Sequence, residues 1–337
     1  MKILKDQLLS SYSSMRIGGK AKFLCHAEKK DDFLAASEFA RKNSLKVITI
    51  GRGTNIIFTD SGFNGLVVVN NYQGHSIEGE TISANSGSSW DEIVAESVAK
   101  NLVGIGALSL VPGTVGGAPV NNIGAYGQEI KDTLLFVTAL NNKTGAIEKI
   151  DNYSCGFSYR NSIFKEKHHG KYQILEVVLG LKKFDKSSYK PPQYPAVQQA
   201  LEKYDIVTPK IVRETIINIR QSKLPDPNEE PNTGSFFKNP IINNEAFDIF
   251  HRMYPNAPYY QVENNYKVPA GWLIDNLHLK GSVINGIEIY SKQALVLVNR
   301  SATSFKELDL TIKHIQTAVK NAYNISISVE PEIIYND

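Results

Sequence analysis

The sequence predicts an α+β protein made of α/β units in more than one domain, and three observations carry that prediction. Its 337 residues, 42% of them apolar, supply more core than one small domain uses. Helical and strand periodicities alternate in short blocks, as in mixed layers. The composition then breaks at "DKSSYKPPQYP", a stretch rich in Ser, Lys and Pro that reads as a linker or mobile loop.

From the N-terminus, "DDFLAASEFARKN" places Phe33, Leu34, Ala36, Phe39 and Ala40 at helical spacing, and "KVITIGRGTNIIF" reads as strand, glycine turn, strand. "TISANSG" is a further strand. Ser89 with Glu92 then predicts a capping box opening a helix that buries Trp90, Ile93, Val94 and Val98. "LLFVTALNNKTGAIEKID" reads as a hairpin about Asn-Lys-Thr-Gly, and "YQILEVVLGLKKF" as another β run. Beyond the proline-rich stretch a second domain is expected to begin, opened by a helix that Thr208 and Pro209 cap and start and that stops at Pro225. The long irregular passage "LPDPNEEPNTGSFFKNP" follows, and loops of that length inside compact domains are usually functional. Ser304 and Glu307 form a last capping box, before an amphipathic helix through Leu308, Ile312, Ile315 and Val319 and the strand "ISISVEPEIIY".

Several function classes are disfavoured. Lys and Arg exceed Asp and Glu by only three, 37 against 34, and are scattered, so neither a nucleic-acid arm nor a membrane-surface patch is present. Two cysteines, Cys25 and Cys155, with no C-x-x-C pair support neither a disulfide framework nor a structural zinc site and suit a reducing cytoplasm. Asp6 interrupts the only apolar stretch of the N-terminus, and no apolar run reaches the length of a membrane span. The histidines show no metal-ligand spacing beyond the adjacent His168 and His169, so no metal is expected.

The chemistry concentrates in a few motifs. "PGTVGGAPVNNIGAYG", residues 112–127, carries five glycines, which permit close backbone approach and can present peptide N–H groups to a large or anionic ligand. "GRGTN", residues 51–55, offers a second such loop and lacks the G-x-G-x-x-G spacing of a Rossmann site. In "CGFSYRNSIFK" the planar fork of Arg160, beside Tyr159, suits a carboxylate or phosphate. "NTGSFFKNP" sets Ser235 between a glycine and two phenylalanines, where a hydroxyl could sit in a dry pocket, and no G-x-S-x-G elbow makes it a hydrolase nucleophile. In "SVEPEIIY" strand alternation puts Glu330 and Glu332 on one side and does not choose between them.

Taken in order, "RIGGKA", "GRGTN", "PGTVGGAPVNNIGAYG", "YRNSIFK", "KLPDP", "GSFFKNP", "AGWLID", "QALVLVN" and "EPEI" resemble the UDP-N-acetylenolpyruvoylglucosamine reductases, flavoenzymes of bacterial cell-wall precursor synthesis. The chain looks like the longer form of that family, with "SSYKPPQYP" standing for its extra substrate loop and Tyr194 for the loop's tyrosine. The resemblance implies a p-cresol methylhydroxylase-type FAD-binding region over residues 1–205, in subdomains 1–68 and 69–205. A smaller substrate-binding domain over 206–337 would follow, its final strand returning a glutamate to the active site. It further implies non-covalent FAD against Ile50, Gly51, Arg52, Gly53, Thr54 and Asn55. The second FAD loop would contribute Pro112, Gly113, Gly116, Gly117, Ala118, Asn121, Gly124, Ala125, Tyr126 and Gly127. Two departures from the family pattern are Thr54, where serine is common, and "EPEIIYND", where an arginine and glycine often follow.

The implied reaction uses NADPH as co-substrate and reduces enolpyruvyl-UDP-GlcNAc by hydride addition at the vinyl C3. The electron pair left at C2 spreads onto the adjacent carboxylate and needs fixed donors or positive charge. By resemblance, Arg160 and Glu332 supply that stabilisation, the glutamate acting as a donor only while it carries a proton, and Ser235 gives the proton to C2. Tyr159, Tyr194, Lys223, Asn239 and Gln293 are the implied substrate-binding residues, in a cytoplasmic monomer whose partners are small molecules. A flavin oxidase of the same cofactor fold, tethered through Cys155, leaves "GSFFKNP" and "EPEI" without a purpose. A non-catalytic flavin module leaves Arg160, Ser235 and Glu332 without one.

Overall fold

In the computed structural model, which describes residues 1–336, the chain divides into two compact units. The first comprises residues 1–7, 21–52 and 63–222; the second comprises 8–20, 53–62 and the described residues from 223 onward.

The first unit holds two sheets. In one, the strands Lys20–Ala27 and Val47–Ile50 both run parallel to the central strand Phe63–Asn70. Parallel neighbours need crossovers, and the helix Lys30–Lys42 lies in one of them, burying Phe33, Ala36 and Ala40 against Leu66 and Val68. The central strand "FNGLVVVN" is buried at all but one position, as expected of a strand covered on both faces. The other sheet is antiparallel, in the spatial order Ile147–Asp151, Leu134–Asn141, Tyr172–Gly180, Thr81–Asn85, His75–Glu78. The predicted hairpin is its first pair, closed by Asn141 and Ala146 with Gly145 at φ +76°.

The predicted helix after "TISANSG" spans Trp90–Ala99 and buries the expected Trp90, Ile93, Val94 and Val98. Its capping box is not made. Ser89 instead forms a β-bridge to Thr114, and the Trp90 N–H donates to the Gly113 carbonyl, so the glycine-rich segment takes over the helix entry. That segment is anchored by Val115 and Ala118, which share a core with Trp90, Val137 and Val177.

The proline-rich stretch does not link the units. It leads into the helix Pro195–Leu201, and the helix Pro209–Lys223 returns against it, with Val212 and Ile216 covering Val197 and Leu201. A helix belongs with the surface that buries its apolar face. The change of unit therefore falls at 222/223, where the sequence suggested 205/206.

In the second unit the antiparallel sheet Asn232–Ser235, Val296–Asn299, Ile287–Ile289, Val283–Ile284 packs with the helices Asn244–Met253, Ala270–Asp275 and Phe305–Tyr323 around Phe236, Phe237 and Leu273. Met15, Ile17 and Ile57, all at 0% exposure, join that core, which explains why residues 8–20 and 53–62 belong here. After Ile50 the chain leaves the first sheet, and Ile56–Phe58 pairs in parallel with Glu332–Ile334. The strand predicted for "ISISVEPEIIY" is accordingly two pieces. Val329 bridges to Phe237, Pro331, which has no N–H to donate, breaks the run, and a strand resumes at Glu332. No helix among the described residues is long and apolar enough to cross a membrane.

Both cysteines lie at 0% exposure, and burial pushes each thiol up to about 12. The thiolate is the reactive form. A disulfide exchange reagent at neutral pH is expected to find no thiol in the folded protein and both after unfolding; prompt reaction of the native protein would contradict the packing around Cys25 and Cys155.

Candidate active site

Four side-chain bonds stitch two of the motifs together in the first unit. Ser158 and Asn161 exchange backbone hydrogen bonds of 3.1 and 3.2 Å, leaving Tyr159 and Arg160 at the tip of a tight turn. From the glycine-rich segment the Asn122 amide donates to the Ser158 carbonyl at 3.1 Å, and the Gly124 carbonyl accepts from Arg160 Nη2 at 2.8 Å. From the other side Ser162 Oγ donates to the Val120 carbonyl and Lys165 Nζ to Asn121 Oδ1, each at 2.7 Å. Arg160 sits at φ +55°, uncommon for arginine, with its guanidinium 5.4 Å from the Tyr159 ring centroid.

The glycines of residues 112–127 serve different ends. Gly124 and Ala125 pair with Glu129 and Gln128 as a small hairpin whose turn residues Tyr126 and Gly127 both have positive φ, the pattern of a type I′ turn. A Cβ at Gly124 would stand 3.0 Å from Arg160 Nη1, and one at Gly116 would stand 2.6 Å from Ser86 Cβ. At Gly51 it would collide with Thr114. Gly117 differs: it is exposed, and a Cβ there would make only an ordinary 3.7 Å contact with Thr114 Oγ1, so no protein neighbour requires glycine.

Tyr126 meets Tyr194 edge to face, with ring centroids 5.3 Å apart at 85°. Tyr194 is the residue before the helix Pro195–Leu201, and the preceding loop is shaped by the Asp185 carboxylate, which accepts from Ser187 and Ser188. Behind Tyr126 stands Arg220. Burial holds its guanidinium below the ordinary value against the pull of Tyr126 and Asp91, and burial raises the Tyr126 phenol while Arg220 opposes it. Asp91 makes a bidentate pair with Arg213 at 2.7 and 2.8 Å; burial alone would raise its carboxyl, but Arg213 and the Leu110 N–H outweigh burial and keep it below the usual range. Neither Arg220 nor Asp91 emerged from the sequence reading. A signal was present, since Arg213 and Arg220 lie seven residues apart, flanking Ile216 and Ile217 on a helix whose apolar face is buried.

The second unit carries the other candidates. Ser235 ends the strand Asn232–Ser235 opposite Val296 and is exposed. The expected dry pocket is not formed by its phenylalanine neighbours, because Phe236 and Phe237 both turn into the core at 0% and 1% exposure. The Phe236 carbonyl accepts from the Glu330 N–H at 2.9 Å, and the Glu332 N–H donates to the Asn55 carbonyl at 3.0 Å, so both glutamates are held by pairing with candidate motifs. Gly53, at φ +65°, approaches the Tyr12 carbonyl too closely for any Cβ. Asn239 Oδ1 accepts from the Ala270 N–H at 2.9 Å, capping the helix Ala270–Asp275, and Gln293 Oε1 accepts from the Leu295 N–H at 3.3 Å. Lys223 is exposed at the end of its helix. Among the described residues Asn55 Nδ2, Thr233 Oγ1, Arg220 Nε and His251 Nδ1 are buried without a hydrogen-bond partner, and the first two of these lie in candidate motifs.

Two family models match parts of the chain. A family model described as FAD binding domain matches residues 21–151, and one described as UDP-N-acetylenolpyruvoylglucosamine reductase, C-terminal domain, matches residues 226–334. Reductases of that name from Photobacterium profundum and Aliivibrio fischeri are 34% and 35% identical, over 98% and 100% of this chain and 95% and 96% of their own. The one from Haemophilus ducreyi is 37% identical over 88% of this chain and 86% of its own. The solved UDP-N-acetylenolpyruvylglucosamine reductase of Thermus caldophilus shares the fold, with a TM-score of 0.72 and 21% identity over 99% of this chain and all of that one.

Proposed function

The chain belongs to the UDP-N-acetylenolpyruvoylglucosamine reductase family, and from that premise we infer that it reduces the enolpyruvyl group of UDP-N-acetylenolpyruvoylglucosamine, with FAD as cofactor, in peptidoglycan precursor synthesis. The observation that carries the reading is a match over nearly the whole length of such reductases, by a chain that holds Arg160, Ser235 and Glu332 in its matching motifs. NADPH is the reductant, and the protein works as a cytoplasmic monomer.

The site residues fit the flavin. Gly117, whose N–H donates to the Thr114 carbonyl, leaves the space of a Cβ open to an approaching group, Asn55 holds a buried amide in need of an acceptor, and the rest of the two loops would hold the cofactor's sides. FAD, when bound, supplies hydride-transfer chemistry. Once hydride has been added to the vinyl carbon of the substrate, negative charge grows on the neighbouring carbon and carboxylate. Arg160 meets it with a guanidinium already tied to Gly124, so little reorganisation is needed as the charge develops. Glu332, fixed through its N–H to Asn55, acts as a further donor when protonated. Ser235 presents an exposed hydroxyl at a strand end paired with Val296 and delivers the proton to C2; a hydroxyl is a weak acid, and a carbanion-like centre is basic enough to take its proton. Tyr159, Lys223, Asn239 and Gln293 bind the nucleotide sugar, and Tyr194 closes over the diphosphate.

The test is NADPH oxidation by the purified protein. Oxidation that depends on added UDP-N-acetylenolpyruvoylglucosamine supports the reading, whereas oxygen uptake with an alcohol and no response to the nucleotide sugar would replace it with an oxidase. Tyr194→Phe, which keeps the ring against Tyr126 and removes one hydroxyl, is expected to raise KM for the nucleotide sugar by about tenfold. NADPH should bleach the bound flavin at its usual rate in that variant, and equal losses in both measurements would refute the diphosphate role.

A further inference from the structure

We propose that Asn122 is a positioning residue for Arg160: it ties the cofactor segment to the turn that carries the guanidinium, so that one loop both faces the flavin and aims the arginine. The proposal rests on the catalytic role given to Arg160 above.

Asn122 has 0% exposure and sits at φ +43°. Its amide nitrogen donates to Glu129 Oε2 at 2.8 Å and to the Ser158 carbonyl at 3.1 Å, and its oxygen accepts from the Lys131 N–H at 3.3 Å. The positive φ alone does not explain the residue, since glycine would adopt it at less cost. What asparagine adds is the pair of donors, and one of them goes to the first residue of the Tyr159–Arg160 turn. The Ser158 carbonyl accepts from Asn122 and from the Asn161 N–H, so the amide supports the very bond that closes the turn.

Arg160 needs such support. Its backbone lies in the left-handed region, a conformation that persists only where the surroundings over-determine it. Its side chain bonds to Gly124, two residues beyond Asn122, and any Cβ at 124 would press on Nη1 from 3.0 Å. Asn122 and Gly124 thus set the turn and the guanidinium from the same short segment. Glu129 completes the arrangement: it accepts from Asn122, pairs with Lys131 at 2.8 Å, and stands opposite Gly124 in the small hairpin. A shift of the glycine-rich segment would move the turn and the charge together.

A double-mutant cycle tests this with flavin-loaded protein. Asn122→Gly keeps the backbone angle and removes the amide, and is expected to lower kcat by about tenfold, within the range of coupling through one hydrogen-bond network, with flavin content retained. In the Arg160→Ala background the same substitution should have no further effect. Affinity for the product UDP-N-acetylmuramate, whose lactyl carboxylate the guanidinium would meet, is measured by calorimetry and should show the same non-additivity without turnover. Gly124→Ala, whose Cβ would stand 2.9 Å from Glu129 Cγ and 3.0 Å from Arg160 Nη1, presses on the same network and gives a second cycle should Asn122→Gly fail to fold. Additive effects alongside a strong loss in Arg160→Ala would overturn the positioning role and leave the arginine's own role intact. Unchanged turnover in Arg160→Ala would overturn both.

Discussion

Ser235→Ala is expected to keep the fold and lose the reaction. Turnover of UDP-N-acetylenolpyruvoylglucosamine should fall by about a hundredfold to a thousandfold, the usual loss when one positioned donor to a developing charge is removed. Stability should change by no more than about 0.5 kcal/mol, because the side chain is exposed and the strand keeps its pairing with Val296. Flavin content and the bleaching of the flavin by NADPH should be those of the parent, since the proton from Ser235 is needed only when the nucleotide sugar reacts. Ser235→Cys offers a stronger acid of similar reach and should recover part of the lost rate. Parental turnover in the alanine variant would remove Ser235 as the acid, and loss of flavin would mean that the substitution had damaged the site.

The adjacent residue should behave in the opposite way. Phe236→Ala removes a ring at 0% exposure that packs edge to face on Phe237, with centroids 5.4 Å apart, inside the core holding Leu273, Ile289 and Leu308. A buried Phe→Ala change costs about 3 to 5 kcal/mol, the lost transfer energy plus the cavity left behind. On a chain of this size Tm should drop by about 4 to 7 °C. The Phe236 backbone bonds to Leu295 and Glu330 do not depend on the ring, so the destabilised variant should retain measurable turnover below its transition. A shift of only a degree or two in thermal unfolding would contradict the packing. The two neighbours together separate chemistry from scaffold within one short motif.

How much of this was legible beforehand depended on how local the deciding interaction was. The helix Phe305–Tyr323 could be read in full, because its capping box is made by Ser304 and Glu307 themselves and its apolar stripe follows from spacing. The box predicted at Ser89 and Glu92 failed because a partner twenty-five positions away, Thr114, bridges to Ser89. The change of unit lies beyond local reading in the same way: the apolar face of Pro209–Lys223 is covered by an earlier helix, and no local composition reports that. For the candidate site, the motifs and their residue types stood in the sequence, and the resemblance supplied their roles. What neither could supply was the stitching between residues 120–124 and 158–165, three side chains meeting backbone carbonyls and one meeting the Asn121 side chain, across 36 to 44 residues of sequence. The adjacent asparagines at 121 and 122 read as loop composition, and only the fold shows that their amides serve different partners, Lys165 and Ser158.

The central claim is that this chain reduces a carbon–carbon double bond of a nucleotide sugar, and the identity of the product tests it most directly. The purified protein is incubated with NADPH and UDP-N-acetylenolpyruvoylglucosamine, and the nucleotide sugar is then recovered and weighed by mass spectrometry. The account predicts a product heavier by a hydride and a proton, coincident with authentic UDP-N-acetylmuramate on chromatography and formed in step with NADPH consumed. Recovery of unchanged enolpyruvyl substrate while NADPH is spent on oxygen would contradict it.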